Sequence, residues 1–194
     1  SLVMTNFSRL LIDPNRGKDD PTLIPKLSEG KIIKGNINIS MSEDDIERNK
    51  RIDRFYLPYH KQINRFINKS LDNGRIPKIL SIHSFTPIWK GKKRDIDIGV
   101  LWDKDDRLSK IFLSSLKNIK LGDNKPYSGR LKNDTLYKNS TSYGIPNVLI
   151  ELRHDLLKKE KDKLQWAKKI NNVLKENEQT IKSFSLNKYG SYTF

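Results

Sequence analysis

Short apolar segments alternate with longer amphipathic segments along this chain, and this alternation restricts the fold more than any other feature of the sequence. Three apolar runs are short enough to be buried strands, and they lie at 78–83, 96–101 and 147–151. Three further segments carry apolar residues at helical spacing, and they lie at 42–67, 108–116 and 164–174. Strands that alternate with helices predict an α/β fold in which helices cover both faces of a sheet.

The N-terminal part of the sequence is less regular. Residues 2–16 predict a strand that runs into a polar turn. Residues 17–42 show little periodicity, so we expect a long surface loop there. The helix that follows contains Pro58, which could kink it. The chain has 194 residues, of which 35% are hydrophobic, and this size predicts a single α/β domain over residues 1–194.

The inventory of side chains excludes several kinds of site. There is no cysteine, which excludes disulfides, thiolate nucleophiles and cysteine-ligated metals. Any metal must therefore bind His, Asp, Glu or water, and the histidines are His60, His83 and His154. No window approaches the roughly 20 consecutive apolar residues that a membrane-spanning helix needs, and the start lacks the layout of a signal peptide. We therefore expect a cytoplasmic protein without a membrane partner.

The net charge of +15, from 38 basic and 23 acidic side chains, allows two interpretations. One is a basic module that binds nucleic acid. The other is a solvated surface whose lysines reflect a coding bias, because the lysines are spread along the chain and Asn and Ile are also abundant. No groove-reading motif or interleaved aromatic patch supports nucleic acid binding, so we prefer the second interpretation.

Two polar residues close buried strands in the predicted fold and could carry chemistry. His83 ends the apolar run that begins at Lys78, and Glu151 ends the run 147–151. A carboxylate at the end of a buried strand is costly unless it is paired or functional. At one edge of a sheet, a His and a Glu are the minimal parts of metal-assisted hydrolysis, namely a metal ligand and a general base. The alternatives are a structural histidine and an ion pair between Glu151 and an arginine such as Arg153.

Several arginines suggest the kind of substrate. Asn15 and Arg16 follow the first predicted strand, and Arg94 precedes another. A guanidinium binds a carboxylate through two parallel hydrogen bonds, so arginines around one pocket predict a small anionic substrate. Tyr127, which Pro126 places in a turn, could cover such a pocket or lie at the edge of the core. Each arginine taken alone could equally be a surface residue.

Six motifs together resemble the N-formylglutamate amidohydrolase family in their order and spacing. They cover nearly the whole chain, and their conjunction is far more specific than any one of them. The motifs are Ser8-Arg-Leu-Leu-Ile-Asp-Pro-Asn-Arg16, Pro58-Tyr-His60, His83-Ser-Phe-Thr-Pro87, Gly99-Val-Leu101, Asn124-Lys-Pro-Tyr127 and Gly144-Ile-Pro-Asn-Val-Leu-Ile-Glu-Leu-Arg-His-Asp-Leu156.

The resemblance implies a zinc-dependent amidohydrolase that cleaves a formamide or related amide of an acidic amino acid in amino-acid catabolism. It implies a fold like that of the zinc carboxypeptidases, with a mixed central sheet between helices. By this resemblance His83 would bind zinc, and Glu151 would be the general base and then the proton donor. The contacts to a small anionic N-acyl amino acid would be Asn15, Arg16, Arg94, Arg153 and Tyr127.

Three departures from the family pattern bear on the chemistry. The other two zinc ligands of the family would lie before Ser1, so we expect a fragment that lacks its N-terminal strand and helix portion, or else a relative without metal. Asn139 stands where the family has a histidine. Asp95 and Asp97 replace the usual Pro and His. A metal-free relative would bind an anionic small molecule without turnover, and the oligomeric state is not predicted.

Overall fold

A computed structural model describes residues 1–193 of the chain. These residues divide into two units. The helical unit comprises Ser1–Arg75 and Lys132–Asn139, and the sheet unit comprises residues 76–131 and those from 140 onward. No helix within this described part is long and apolar enough to cross a bilayer.

The secondary structure confirms the predicted alternation of strands and helices. The strands are β1 (Leu27–Ser28), β2 (Lys31–Ile32), β3 (Ile79–Phe85), β4 (Ile88–Trp89), β5 (Lys92–Lys93), β6 (Ile98–Leu101), β7 (Leu121–Asp123) and β8 (Asn147–Arg153). The α-helices are α1 (Ile46–Arg51), α2 (Leu57–Asp72), α3 (Arg107–Ser115), α4 (Thr135–Asn139), α5 (Glu160–Glu176) and α6 (Glu178–Ser183). A π-helical segment, Ile52–Tyr56, joins α1 to α2.

The central sheet is mixed, as the resemblance implied. Its strand order is β3-β8-β6-β7. The central strand β8 pairs in parallel with β3 and in antiparallel fashion with β6, and β6 pairs in parallel with β7. All seven residues of β8 are buried, which is typical of a strand with neighbours on both sides.

The core of the sheet unit lies on one face of this sheet. Alternate residues of β6 and β8 point to that face and are buried against α3 and α5. The buried residues of this core are Ile98, Val100, Leu108, Ile111, Phe112, Leu116, Val148, Ile150, Leu152, Ile170 and Val173. Because side chains alternate along a strand, Leu149, Glu151 and Arg153 of β8 point to the opposite face.

The two strands that carry candidate residues are longer than predicted. β3 continues two residues beyond His83 to Phe85, which is 3% exposed, and β8 continues two residues beyond Glu151 to Arg153. His83 and Glu151 therefore lie inside strands, and the prediction that each closes its strand is wrong. The physical reason is that Phe85 and Arg153 are both buried and are register partners, so the pairing of β3 with β8 continues to them.

The helical unit has no strand over residues 2–16, so the predicted N-terminal strand is wrong. Side chains take the carbonyl groups that a strand would offer to a neighbour. Asn36 Nδ2 donates to the carbonyl of Leu10 at 2.7 Å, and Arg51 Nη1 donates to the carbonyl of Leu11 at 2.8 Å. The apolar residues around them form the core of this unit, which comprises Ile12, Leu23, Ile24, Ile39, Ile52 and Tyr56.

The long helix predicted after residue 42 passes through Pro58. Its first segment begins at Ile46, and Asp45 caps it by accepting a hydrogen bond from the backbone N–H of Arg48 at 2.8 Å. Pro58 is the second residue of α2, directly after the π-helical segment. A proline lacks the N–H that would bond to the carbonyl four residues earlier, and a wider turn before it accommodates that loss.

Candidate active site

A row of register partners crosses the sheet on the face opposite the core. His83 of β3 is the partner of Glu151 of β8, and Glu151 is also the partner of Gly99 of β6. Gly99 is in turn the partner of Gly122 of β7. The row thus consists of two side chains that can carry chemistry, followed by two glycines.

The imidazole of His83 and the carboxylate of Glu151 face each other in this row. Their Nδ1 and Oε1 atoms are 3.9 Å apart, and the side chains are 32% and 9% exposed, respectively. Partners on neighbouring strands lie about 4.8 Å apart, so this proximity follows directly from the register. A nearly buried carboxylate beside a more accessible imidazole can orient a water molecule and accept its proton.

The two glycines of the row make room for a loop beside Glu151. A Cβ atom at Gly99 would overlap the carbonyl oxygen of Lys125, and one at Gly122 would lie 2.5 Å from the same oxygen. The loop is held by Asn124, whose Oδ1 accepts hydrogen bonds at 3.0 Å from the backbone N–H groups of Trp102 and Gly129. The loop therefore forms a fixed wall of the site.

This wall presents Tyr127 to Arg94. Arg94 Nη1 donates to the hydroxyl of Tyr127 at 2.9 Å. The guanidinium carbon also lies 5.3 Å, 5.4 Å and 4.9 Å from the ring centroids of Phe85, Trp89 and Tyr127. Phe85 follows His83 by two residues in β3, so its ring is on the same face of the sheet. Arg94 and Tyr127 are thus parts of one aromatic cluster beside the row.

Arg153 lies on the same face and is fully engaged with the backbone and with two carboxylates. Its guanidinium is 3.0 Å from Asp97 and 2.8 Å from Asp155, and Nη1 donates to the carbonyls of Arg94 and Ile96 at 3.1 Å. Burial acts to raise the pKa of Asp155, but the hydrogen bond and charge of Arg153 hold it below its usual value. Arg153 therefore pairs with these aspartates, whereas Glu151 faces His83.

Asn15 and Arg16 belong to the helical unit, where they form a turn with Asp13. Asn15 Oδ1 accepts a hydrogen bond from the backbone N–H of Thr135 at 3.2 Å. Arg16 Nε donates to the hydroxyl of Thr22 at 3.1 Å, and it lies 4.0 Å from the carboxylate of Asp13. Both side chains are thus held in place by contacts within their own unit.

A buried histidine and asparagine support this turn, and the sequence did not assign them to it. His60 Nε2 is 3.0 Å from the carbonyl of Pro14, and Asn139 Nδ2 is 3.1 Å from His60 Nδ1. Burial, helped by the charge of Lys138, lowers the pKa of His60 to about 4. His60 is therefore neutral at pH 7, with Nε2 as the donor and Nδ1 as the acceptor. The available signals were the motif Pro58-Tyr-His60 and Asn139, which departs from the family pattern.

A second contact holds the backbone of Arg16. The hydroxyl of Tyr56 donates to the carbonyl of Arg16 at 2.8 Å, and the ammonium of Lys138 contacts the same hydroxyl. Burial lowers the pKa of Lys138 and raises the pKa of Tyr56. The turn that presents Asn15 and Arg16 is thus fixed by buried polar side chains rather than by a strand.

The structure gathers five of the seven predicted site residues in the sheet unit. These five are His83, Arg94, Tyr127, Glu151 and Arg153. Asn15 and Arg16 are in the helical unit. The functional assignments of all seven stay predictions.

The donor set for a metal is incomplete among residues 1–193. Within this part of the chain, no group of three or more His, Asp or Glu side chains is placed to hold a metal ion. Among the predicted site residues only His83 is assigned as a zinc ligand, whereas a catalytic zinc takes three protein ligands. The described residues therefore do not fit a zinc ion by themselves, and the predicted zinc stays a prediction.

Comparison with known proteins gives one family match. A sequence model of the N-formylglutamate amidohydrolase family matches residues 1–158. A search of curated proteins finds no match.

Two solved structures share the fold. A gene product from Agrobacterium tumefaciens has 31% sequence identity and a TM-score of 0.81, and the alignment covers 90% of this chain and 69% of that protein. The N-formylglutamate amidohydrolase from Ralstonia eutropha has 21% identity and a TM-score of 0.56, with 90% and 74% of the two chains covered. At that lower identity, the second match supports the fold alone.

Proposed function

Because the chain belongs to the N-formylglutamate amidohydrolase family, we propose that it hydrolyses the C–N bond of a small anionic N-acyl amino acid, with N-formylglutamate as the first substrate to test. The observation that carries the proposal is the pairing of His83 with the nearly buried Glu151 across β3 and β8. Family membership supports an amidohydrolase, and the pair supplies a base at a fixed position.

The proposed reaction consumes water and releases formate and glutamate. The carboxylate of Glu151 accepts a proton from water, and the resulting hydroxide oxygen bonds to the formyl carbon. The C–N bond then breaks, and Glu151 returns the proton to the leaving nitrogen. His83, 3.9 Å from the carboxylate, orients the water or the carboxylate. A base positioned in this way contributes about 10²–10⁴-fold to the rate.

The substrate's carboxylate is assigned to Asn15 and Arg16, as the family resemblance implies. The support in this structure is that buried side chains hold their turn, as shown by the contacts of His60 and Tyr56 to its carbonyls. A preformed turn loses little entropy when it binds a ligand, which favours binding.

Zinc dependence and a cytoplasmic location are further parts of the proposal that rest on the sequence. A bound zinc would polarise the amide carbonyl and acidify its bound water. Since the described residues do not complete a zinc site, no step above depends on zinc. Cell fractionation tests the location, and metal analysis tests the zinc.

The test is an assay for release of formate from N-formylglutamate. We expect Glu151→Gln to lower kcat by about 10²–10⁴-fold, because the amide removes the base but keeps its shape. The matched control is Glu176→Gln, which changes an exposed glutamate of α5 in the same unit. Equal activity of the Glu151→Gln variant and the Glu176→Gln control would refute the assignment of Glu151, and wild-type protein that stays inactive both with and without added zinc would refute the proposed function.

A further inference from the structure

A cleft of about 440 Å³ opens on the core face of the sheet. Its floor belongs to β3 and β8, and its walls belong to α3, α5 and α6. Clefts of this size that are lined mainly by apolar side chains commonly bind small ligands. The apolar lining residues are Leu80, Leu108, Phe112, Val148, Leu174 and Ile181.

The apolar lining is covered by protein only in its deeper part. The three lining residues from α3 and β8 are at most 2% exposed. Leu80, Leu174 and Ile181 pack against the same core but are half-buried. An aliphatic chain that lay on these three side chains would remove both its own apolar surface and theirs from water, which favours binding.

The polar residues of the cleft carry an excess of positive charge. They are three lysines, Lys78, Lys175 and Lys182, and one glutamate, Glu178. Lys182 pairs with Glu178 at 2.6 Å. Neither Lys78 nor Lys175 forms an ion pair within the part of the chain that the structure describes. An apolar cleft with two such cations at its rim is complementary to a ligand that joins an apolar chain to an anion.

Lys78 is the rim cation with the clearest need for an anion. It directly precedes β3 and is half-buried. Its Nζ donates to the carbonyl of Ile76 at 3.1 Å, and an ammonium has two further N–H donors. Burial, helped by the charge of Arg107, lowers the pKa of Lys78. An anion placed beside Lys78 would offset both of these unfavourable effects on its charge.

We propose that this cleft binds a single-chain aliphatic carboxylate, with the chain on Leu80, Leu174 and Ile181 and the carboxylate beside Lys78. The proposal goes beyond the proposed hydrolysis and does not depend on it. Side chains alternate along β3, so Leu80 and His83 point to opposite faces, and the sheet separates the cleft from the His83–Glu151 row.

Calorimetric titration of the whole chain with octanoate tests the proposal. The control ligand is 1-octanol, which has the same chain without the charge. We expect octanoate to bind about 2- to 5-fold more tightly than 1-octanol, because an exposed ion pair adds a modest amount to the affinity. Each CH₂ group added from hexanoate to octanoate should raise the affinity by about fourfold, because it buries further apolar surface.

Charge reversal at the rim tests where the carboxylate lies. We expect Lys78→Glu to weaken octanoate binding by about 5- to 25-fold, because it removes an attraction and adds a repulsion, and to change 1-octanol binding by less than about twofold. The matched control is Lys168→Glu, which makes the same change of net charge at an exposed position of α5 outside the cleft.

A change in the apolar lining tests where the chain lies. We expect Ile181→Gln to weaken the binding of octanoate and of 1-octanol alike, by about 3- to 10-fold. Its control is Leu186→Gln, which changes an exposed leucine of the same unit outside the cleft. Thermal unfolding of each variant shows whether the fold is kept.

Several results would overturn the proposal. They are an affinity for octanoate no higher than that for 1-octanol, an affinity that does not rise with chain length, and equal weakening by the Lys78 and Lys168 variants. Protein that sediments with vesicles of anionic phospholipid but does not bind octanoate would also overturn it, in favour of a membrane surface. Octanoate binding that depends on Lys78 in a protein without hydrolytic activity would support the cleft and refute only the proposed function.

Discussion

Acid destabilises this protein through His60 before its carboxylates titrate, and the size of the effect follows from the burial of that one side chain. Residue His60 is 8% exposed, and burial together with the charge of Lys138 lowers the pKa of its imidazole to about 4. In the unfolded chain the pKa is about 6.5. Between these two values the unfolded state binds a proton that the folded state does not, so the free energy of unfolding falls as the pH falls.

The magnitude can be worked out for a convenient pH range. The stability that the neutral imidazole provides is complete above pH 6.5 and is lost as the pH falls toward 4. With these pKa values, linkage gives a loss of about 2 kcal/mol between pH 7 and pH 5. Carboxylates whose pKa is lowered on folding, such as that of Asp45, lose their contribution at lower pH.

Urea unfolding followed by circular dichroism at pH 7, 6 and 5 measures this effect. We expect His60→Gln to be less stable than wild type at pH 7 and to lose about 2 kcal/mol less than wild type between pH 7 and pH 5. His154→Gln is the matched control, because His154 is an exposed histidine. If wild type and His60→Gln lose the same stability over this range, the reasoning that His60 stays neutral in the folded protein is wrong.

Two further predictions concern the site. We expect Gly99→Ala to cost about 1–3 kcal/mol of stability in urea unfolding and to lower activity, because its Cβ would overlap the backbone carbonyl of Lys125 beside Glu151. Gly35→Ala is the control, because no atom lies within 4 Å of its Cβ, and it should change stability by less than about 1 kcal/mol. Equal effects of the two substitutions would contradict the close approach of the loop. We expect this 194-residue chain, after dialysis, to hold far less than one equivalent of zinc by elemental analysis, because no group of three candidate ligands is placed to hold a metal among its described residues. A full equivalent that a chelator removes would show that the donor set is larger than the one described.

The strands of the sheet were predictable because a strand buried on both faces requires a continuous run of apolar residues in the sequence. The run Val148-Leu-Ile is continuous and apolar, and it became the middle of β8. The residues before Asp13 are also a continuous apolar run, yet their carbonyls accept hydrogen bonds from the side chains of Asn36 and Arg51, which are distant in sequence. Strand propensity and hydrophobic periodicity depend on residues that are close in sequence. They therefore cannot show which distant side chain forms a hydrogen bond with a backbone group.

The candidate site was predictable in its residue types but not in its arrangement. His83 and Glu151 were both identified from polar positions at strand ends, although each lies inside its strand. The bond between Arg94 and Tyr127 depends on a loop that Gly99 admits, and that requirement is visible only once the strands are in register. The spacing of residues along the sequence does not show that this loop approaches Gly99.

The central place of β8 has a consequence for how the molecule is made. It is the last strand of the sheet to leave the ribosome, yet it separates β3 from β6 and supplies a partner to each. Until it is synthesised, β3 has no partner from the sheet, and the distant pairing that brings His83 to Glu151 must wait. The pairing of His83 with Glu151 is therefore a late event in folding, and a nascent chain that stops before Asn147 carries apolar strands without the one that joins them.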